Sequence, residues 1–163
     1  MKNIQCYCGG TIQVDDEDFD KVIALCPTWT CSNYYKVQTT KAFDFPGVGK
    51  RTIPLAEFVL GKNETGLLMD HKDLNIHNNQ KSNLRHATKQ QNAFNRGPRK
   101  GSQSGLKGVA IDMNCTLPYR AYIQKPDKSK LTIGRYATAK EAAIAYNTKA
   151  KEFFGEFAYL NPE

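Results

Sequence analysis

Alternation of apolar and polar positions divides the chain into three stretches. In GTIQV (residues 10–14) and NYYKVQTT (33–40), β-branched and aromatic residues sit between turn-formers, and both predict strands. RTIPLAEFVLG (51–61) changes to a helical pattern, with Pro54 near the start and Gly61 as the stop. LLM (67–69) is a short apolar strand, followed by a long polar loop and a second short strand in NLRHA (83–87). Thr88 suits the N-cap of a helix KQQNAFN, which places Asn92 and Asn95 three residues apart on one face. RGPRKGSQSG (96–105) is rich in glycine, serine and cations, and its composition predicts a flexible basic linker. Beyond it, LKGVAID, YRAYIQK and KLTIGRY predict three strands, and TAKEAAIAYNTKAKEFFG predicts a helix. Thr138 and Glu141 form its capping box and Gly155 its end, while Ala142, Ala143, Tyr146, Ala150, Phe153 and Phe154 make a core-facing stripe.

Composition narrows the class. Of 163 residues, 40% are hydrophobic and 10% aromatic, enough for packed cores. No apolar run approaches the ~18–20 residues of a membrane span, and the N-terminus lacks the apolar stretch of a secretory signal. These features predict an intracellular protein whose five cysteines are free or metal-bound. The formal net charge of +7 is unevenly spread: residues 1–60 are nearly balanced, and the excess of cations begins at residue 61. A basic half on a balanced chain predicts a polyanionic partner, most simply nucleic acid.

The chemistry concentrates in MDHKDLNIHNNQKSNLRHATKQQNAFN (69–95), which holds all three histidines and a dense set of asparagines. If it folds as strand, loop, strand and helix, Asp70 ends a strand and Asn92 lies on the following helix. A carboxylate and an amide oxygen are hard ligands, suited to Mg²⁺ or Mn²⁺ with water and substrate phosphate completing the shell. Neighbouring strand residues point to opposite sides, so His71 is free to act as a general base, its ring held by an Asn such as Asn83. Metal and positioned base together are sufficient apparatus to hydrolyse a phosphodiester.

The stretch resembles the HNH endonuclease motif, in the version found in phage- and intron-encoded homing endonucleases. The resemblance rests on Asp70-His71-Lys72-Asp73, Asn78-Asn79, Asn83-Leu84-Arg85, Ala87-Thr88 and Gln91-Asn92, with spacings of twelve and nine residues between His71, Asn83 and Asn92. It implies a ββα-metal nuclease core, His71 as general base, Asn83 as the residue that orients it or pins the loop, and Asp70 and Asn92 as metal ligands, with Asn95 a further candidate. His77 and His86 fall at positions the family leaves free. Val14 to Phe19, Trp29, Tyr34-Tyr35 and Leu55 to Gly61 are similar to the leader that precedes the motif in these nucleases. The family often has Leu-His-Arg where this chain has Leu55-Ala56-Glu57, so a helper histidine and a cation are missing.

The C-terminal stretch resembles the Apetala (ethylene-response-factor) DNA-binding domain. The matching positions are Gly105, Lys107-Gly108-Val109, Ala121, Ile123, Ile133-Gly134, Ala142-Ala143, Ala145-Tyr146, Gly155, Ala158 and Leu160-Asn161. The resemblance implies a three-stranded sheet laid in the DNA major groove and braced by the helix. Strand alternation agrees, with Tyr119, Ala121 and Ile123 toward the helix and Arg120, Tyr122 and Gln124 outward. Lys107, Lys130, Thr132 and Arg135 complete the expected DNA-facing set. Lysines and arginines would hold phosphates, and Arg120 or Gln124 would read base edges.

Cys6, Cys8, Cys26 and Cys31 could form a four-cysteine zinc site, or remain unligated thiols in a small core. The sequence therefore predicts an α+β protein with a β-rich region at 1–60, an HNH nuclease motif at 61–95, a linker at 96–104 and an Apetala-type domain at 105–163. The expected activity is that of an HNH homing endonuclease acting on double-stranded DNA with one Mg²⁺ or Mn²⁺, in a phage-infected host cell. A monomer with one site would nick a single strand at a time. The alternatives are a DNA-binding regulator derived from such a nuclease and a zinc-ribbon module that binds RNA or protein.

Overall fold

The computed structural model describes residues 1–32, 36–47, 49–62 and 65–162, and it is an α+β protein in two compact units, Met1–Thr88 and Lys89–Glu163. No helix among the described residues is long and apolar enough to cross a membrane.

The first unit is a set of two-stranded antiparallel ladders around one apolar cluster. Strand β1 (Lys2–Gln5) pairs with β2 (Thr11–Val14) in a register that sets Ile4 opposite Ile12. Helix α1 (Asp16–Leu25) follows, with Asp16, Glu17 and Asp18 in its first turn, where negative charge complements the helix dipole. β3 (Trp29–Ser32) pairs with β4 (Lys36–Thr39), and β5 (Phe43–Phe45) with β6 (Gly49–Arg51). α2 (Leu55–Leu60) starts after Pro54 and stops at Gly61, as expected. Ile4, Ile12, Val14, Val22, Trp29, Val37 and Leu55 close the core. The first three residues of the predicted strand 33–40, with the Tyr34-Tyr35 pair, lie outside the described residues; the remainder forms β4.

β7 (Leu68–His71) pairs with β8 (Leu84–Ala87), setting Asp70 opposite Arg85 and His71 opposite Leu84. The predicted helix is present as α3 (Lys89–Phe94), but it belongs to the second unit. The division into units thus falls before α3, whereas the sequence set a linker at 96–104. The Phe94 ring stacks on Phe154 at 4.0 Å, and the Lys107 ammonium donates to the Phe94 carbonyl at 2.6 Å. Packing of one large aromatic thus assigns α3 and the basic segment after it to the C-terminal unit.

In that unit β9 (Val109–Ile111), β10 (Tyr119–Gln124) and β11 (Lys130–Tyr136) form an antiparallel sheet in the order β11-β10-β9, backed by α4 (Ala139–Phe154). The predicted capping box is present, with Glu141 N donating to Thr138 Oγ1 at 3.2 Å and Thr138 N to Glu141 Oε2 at 3.1 Å. Val109, Ala121 and Ile123 pack on Ala142, Tyr146, Ala150 and Phe154. Gly108 sits at φ 71°, where a β-carbon would come within 2.1 Å of the Tyr146 ring, so only glycine lets the chain cross it. A buried asparagine clasp fixes the C-terminus. Asn147 Nδ2 donates to Asn161 O and accepts from Asn161 N through Oδ1, while Asn161 bonds both backbone groups of Lys107.

Candidate functional site

His71 ends β7 with its ring largely buried, and its Nε2 lies 3.2 Å from Asn79 Oδ1. The Asn79 amide is oriented by its Nδ2, which donates to Ile76 O at 2.9 Å, so its oxygen must face the imidazole. An acceptor oxygen demands a donor, so Nε2 carries the proton and Nδ1 keeps the lone pair. Burial lowers the His71 pKa below its ordinary value, against the opposing pull of Asn79 and the nearby Asp73 and Asp70. The ring is therefore neutral at neutral pH.

Asn79, not Asn83, thus holds the histidine. Asn83 performs the other role considered for it, pinning the loop between β7 and β8. Its Oδ1 accepts from Asp73 N at 3.1 Å, and its Nδ2 donates to Asp73 Oδ1 at 2.9 Å and Asn78 O at 2.8 Å. Burial works against the Asp73 charge, but donation from Asn78, the Asn75 backbone and Asn83 outweighs it and holds the carboxyl below the usual range. The loop is also tied to the N-terminal elements. Lys81 N donates to Asp15 Oδ2 at 2.8 Å, Gln80 Nε2 to Asp15 Oδ1 at 3.2 Å, and the Lys81 ammonium pairs with Asp18 and Glu17.

Asp70 is buried beside His71 and takes Arg85 Nε and Nη2 on Oδ2, each at 2.8 Å. Its hard carboxylate oxygens are the donor type that Mg²⁺ or Mn²⁺ prefers. Of the other expected ligands, Asn92 is half-buried on α3 and Asn95 is buried just past it, both in the second unit. A cleft of about 220 Å³ opens at His71, lined by Lys36, Val37, Pro54, Ala56, Glu57, Met69 and Asn79. Ala56 and Glu57, which stand where the resembling family has a histidine and a cation, therefore do border the base. Arg51 holds Glu57 by two bonds, of 2.8 and 3.3 Å.

The cysteines assemble differently from the expected set. Cys6, Cys8 and Cys31 converge with His77, all four donor atoms lying within 4.8 Å of one another, so this group could hold a metal ion. Cys26 is elsewhere in the core, its thiol donating to Thr28 O at 2.9 Å. Cys115 lies in the second unit and donates to Asp112. The parallel bridge between Cys6 and Trp29 brings β3, and with it Cys31, beside the turn that holds Cys8. Contacts with Cys31, Cys6 and His77 lower the Cys8 pKa to about 6, whereas burial and the Cys8 sulfur push Cys31 up to about 12. Spacing could not have found His77, which follows Cys31 by 46 residues and reaches the thiols only through tertiary folding.

In the second unit the β10–β11 register sets Arg120 opposite Arg135, Tyr122 opposite Thr132 and Gln124 opposite Lys130, with a bulge between Ala121 and Tyr122. All six side chains are exposed on the face away from α4. Arg120 lies 5.9 Å from the Tyr122 ring, Gln124 Nε2 donates to Lys128 O, and Arg135 pairs with Asp112 at 3.1 Å. Lys107 departs from the expected set. It is turned inward onto Phe94 O and the Tyr159 ring, and burial lowers its pKa to about 8. One of its three N–H donors is thus taken by a backbone carbonyl.

No family model matches this chain, and neither does a solved structure. Among curated proteins, 102 residues, 62% of the chain, are 42% identical to a protein of Acanthamoeba polyphaga mimivirus named "Uncharacterized HNH endonuclease L560". The chain spans about half the length of that relative.

Proposed function

We propose that this protein is an HNH-type endonuclease that hydrolyses phosphodiester bonds of double-stranded DNA. The observation that carries the reading is His71, its ring held by Asn79 at the edge of a cleft and one residue from the buried Asp70 carboxylate. The name of the mimivirus relative agrees with it. His71 Nδ1 takes a proton from water, whose oxygen attacks phosphorus as the bond to the leaving oxygen breaks. Asn79 keeps the imidazole in the reactive tautomer, and Asn83 fixes the loop beneath it. Asp70 would supply hard oxygen ligands for Mg²⁺ or Mn²⁺. When bound, that ion would offset charge on the phosphoryl oxygens and the departing oxygen.

The exposed face of Arg120, Tyr122, Gln124, Lys130, Thr132 and Arg135 is the DNA-targeting surface, in the manner of an Apetala-type domain and consistent with a homing endonuclease. One His71 per chain cuts one strand per encounter, so a monomer nicks. A second reading, a regulator that binds DNA without cutting it, draws on Ala56 and Glu57, because the carboxylate beside the base opposes a phosphate. Incubating supercoiled plasmid with the full chain separates the two readings. Nicked circles with Mg²⁺ or Mn²⁺, and none with EDTA or with His71→Ala, are expected. Retarded but uncut plasmid with every divalent metal would refute the endonuclease reading.

A further inference from the structure

We propose that Cys6, Cys8, Cys31 and His77 bind one zinc ion, which fastens the loop between β7 and β8 to the N-terminal hairpin. Three sulfurs and an imidazole form a closed set of four, the complement of a structural zinc site, and soft thiolates select zinc over Mg²⁺ or Ca²⁺. Across a tetrahedral zinc, neighbouring donors stand roughly 3.3–3.8 Å apart. The Cys6–Cys31 and Cys31–His77 distances of 3.7 and 3.3 Å match that spacing, and Cys8–His77, at 3.9 Å, lies just beyond it. Cys8 lies nearer the other two sulfurs, at 2.8 and 2.6 Å, and must draw back by about 1 Å as the metal enters. It can do so because it is exposed on a turn, closed by Cys6 N to Gly10 O and Gly9 N to Cys6 O.

Two further features point to His77 as a deliberate member of the set. A β-carbon on Gly10 would lie 2.6 Å from His77 Nε2, so the glycine leaves room for the ring to reach the sulfurs. Backbone bonds then hold the loop in place from both sides of the histidine, with Gln13 N donating to His77 O and Asn79 N to Gln13 O, both at 2.8 Å. The ligands come from three segments far apart in sequence, so the ion would cross-link the β1–β2 turn, β3 and the loop. Asn79, which positions His71, is two residues from His77. Zinc occupancy therefore reaches the catalytic histidine through the loop, and that consequence alone rests on the endonuclease reading.

The test measures metal content of the full chain by plasma mass spectrometry, and its absorption after cobalt exchange. About one zinc per chain and thiolate-to-cobalt charge-transfer bands are expected. His77→Ala and Cys31→Ser should lose the metal, whereas Cys26→Ser, Cys115→Ser and Asp70→Ala should keep it. His77→Cys should restore it as a four-thiolate site, so the proposal does not depend on the behaviour of a variant that folds poorly. Wild-type chain without zinc or cobalt bands, His77→Ala with full zinc, or a folded Cys26→Ser without it would each overturn the assignment. A chain purified without zinc that still nicks plasmid with Mg²⁺ would sink the zinc site alone. A zinc-loaded chain that never nicks would sink the endonuclease reading alone.

Discussion

Replacing Asn79 with alanine tests the assignment of the base through a buried residue bonded to its ring. Asn79 is 1% exposed and lies beneath the His71 ring, with one side-chain bond to His71 and one to Ile76 O. Each such bond contributes about 1 kcal/mol net, so the variant should lose roughly 2 kcal/mol of stability, part of it from the unpaired Ile76 carbonyl. The kinetic consequence is separate. Without the acceptor oxygen the Nε2 proton loses the bond that favours its tautomer. A preference of about 1–1.5 kcal/mol then disappears, which is about tenfold in rate. Misplacement of the reacting nitrogen extends the loss toward ~10²-fold. The loss should fall on kcat, with KM changed less than about twofold, because no DNA contact is removed. Single-turnover nicking of a labelled duplex, at a temperature where circular dichroism shows the variant folded, reads both quantities. Asn79 acts only through His71, so adding Asn79→Ala to His71→Ala should cost nothing more. A double variant markedly slower than His71→Ala, or a single variant with parental kcat, would refute the positioning role.

Three other outcomes are expected. His71→Ala should lower the cleavage rate ~10²–10⁴-fold with DNA affinity nearly intact, read by comparing nicking with gel retardation; parental cleavage would remove His71 from the chemistry. Asp70→Ala should raise the Mg²⁺ or Mn²⁺ concentration needed for half-maximal nicking if its carboxylate is a metal ligand, and an unchanged metal titration would exclude it. Lys130→Ala should flatten the log–log dependence of DNA affinity on salt by about 0.9, the value for one phosphate contact, whereas inward-facing Lys107→Met should leave the slope alone; fluorescence anisotropy at several salt concentrations distinguishes them.

What the sequence made legible was local. The α4 cap could be read from Thr138 and Glu141 because a capping box is a contact between residues three apart. The outward face of β10 followed from alternation, and the pairing of Arg120 with Arg135 follows from it. Errors arose wherever a long-range contact decided the outcome. Gly97, Arg99 and Ser102 read as linker, yet Phe94 before them and Lys107 after them are drawn into the C-terminal core. Lys107 looked like a surface cation because nothing nearby in sequence announces the Phe94 carbonyl. Asn79 and Asn83 stand four residues apart in a run of similar amides, and only the fold shows which one meets the histidine. α1 escaped notice because four of its first five residues are acidic.

The misassigned cysteine has the widest consequence. Choosing Cys26 over His77 kept the zinc ligands within the first 31 residues, and so treated the N-terminal region as a separate module. With His77 in the set, the same loop carries two kinds of donor. Its two ends hold the proposed general base and the loop's brace, as β7 delivers His71 and Asn83 closes on Asp73. Its middle gives His77 to the sulfurs and its backbone to Gln13, while Asp15 receives Lys81 and Gln80. A polar loop rich in asparagine has little apolar area to hold it in one conformation. Its order must come from hydrogen bonds and, in the proposed zinc site, from ligation, and the N-terminal elements supply partners for both. The roughly neutral N-terminal region thus has a physical role that does not require it to bind DNA: it immobilises the loop on which Asn79 holds His71.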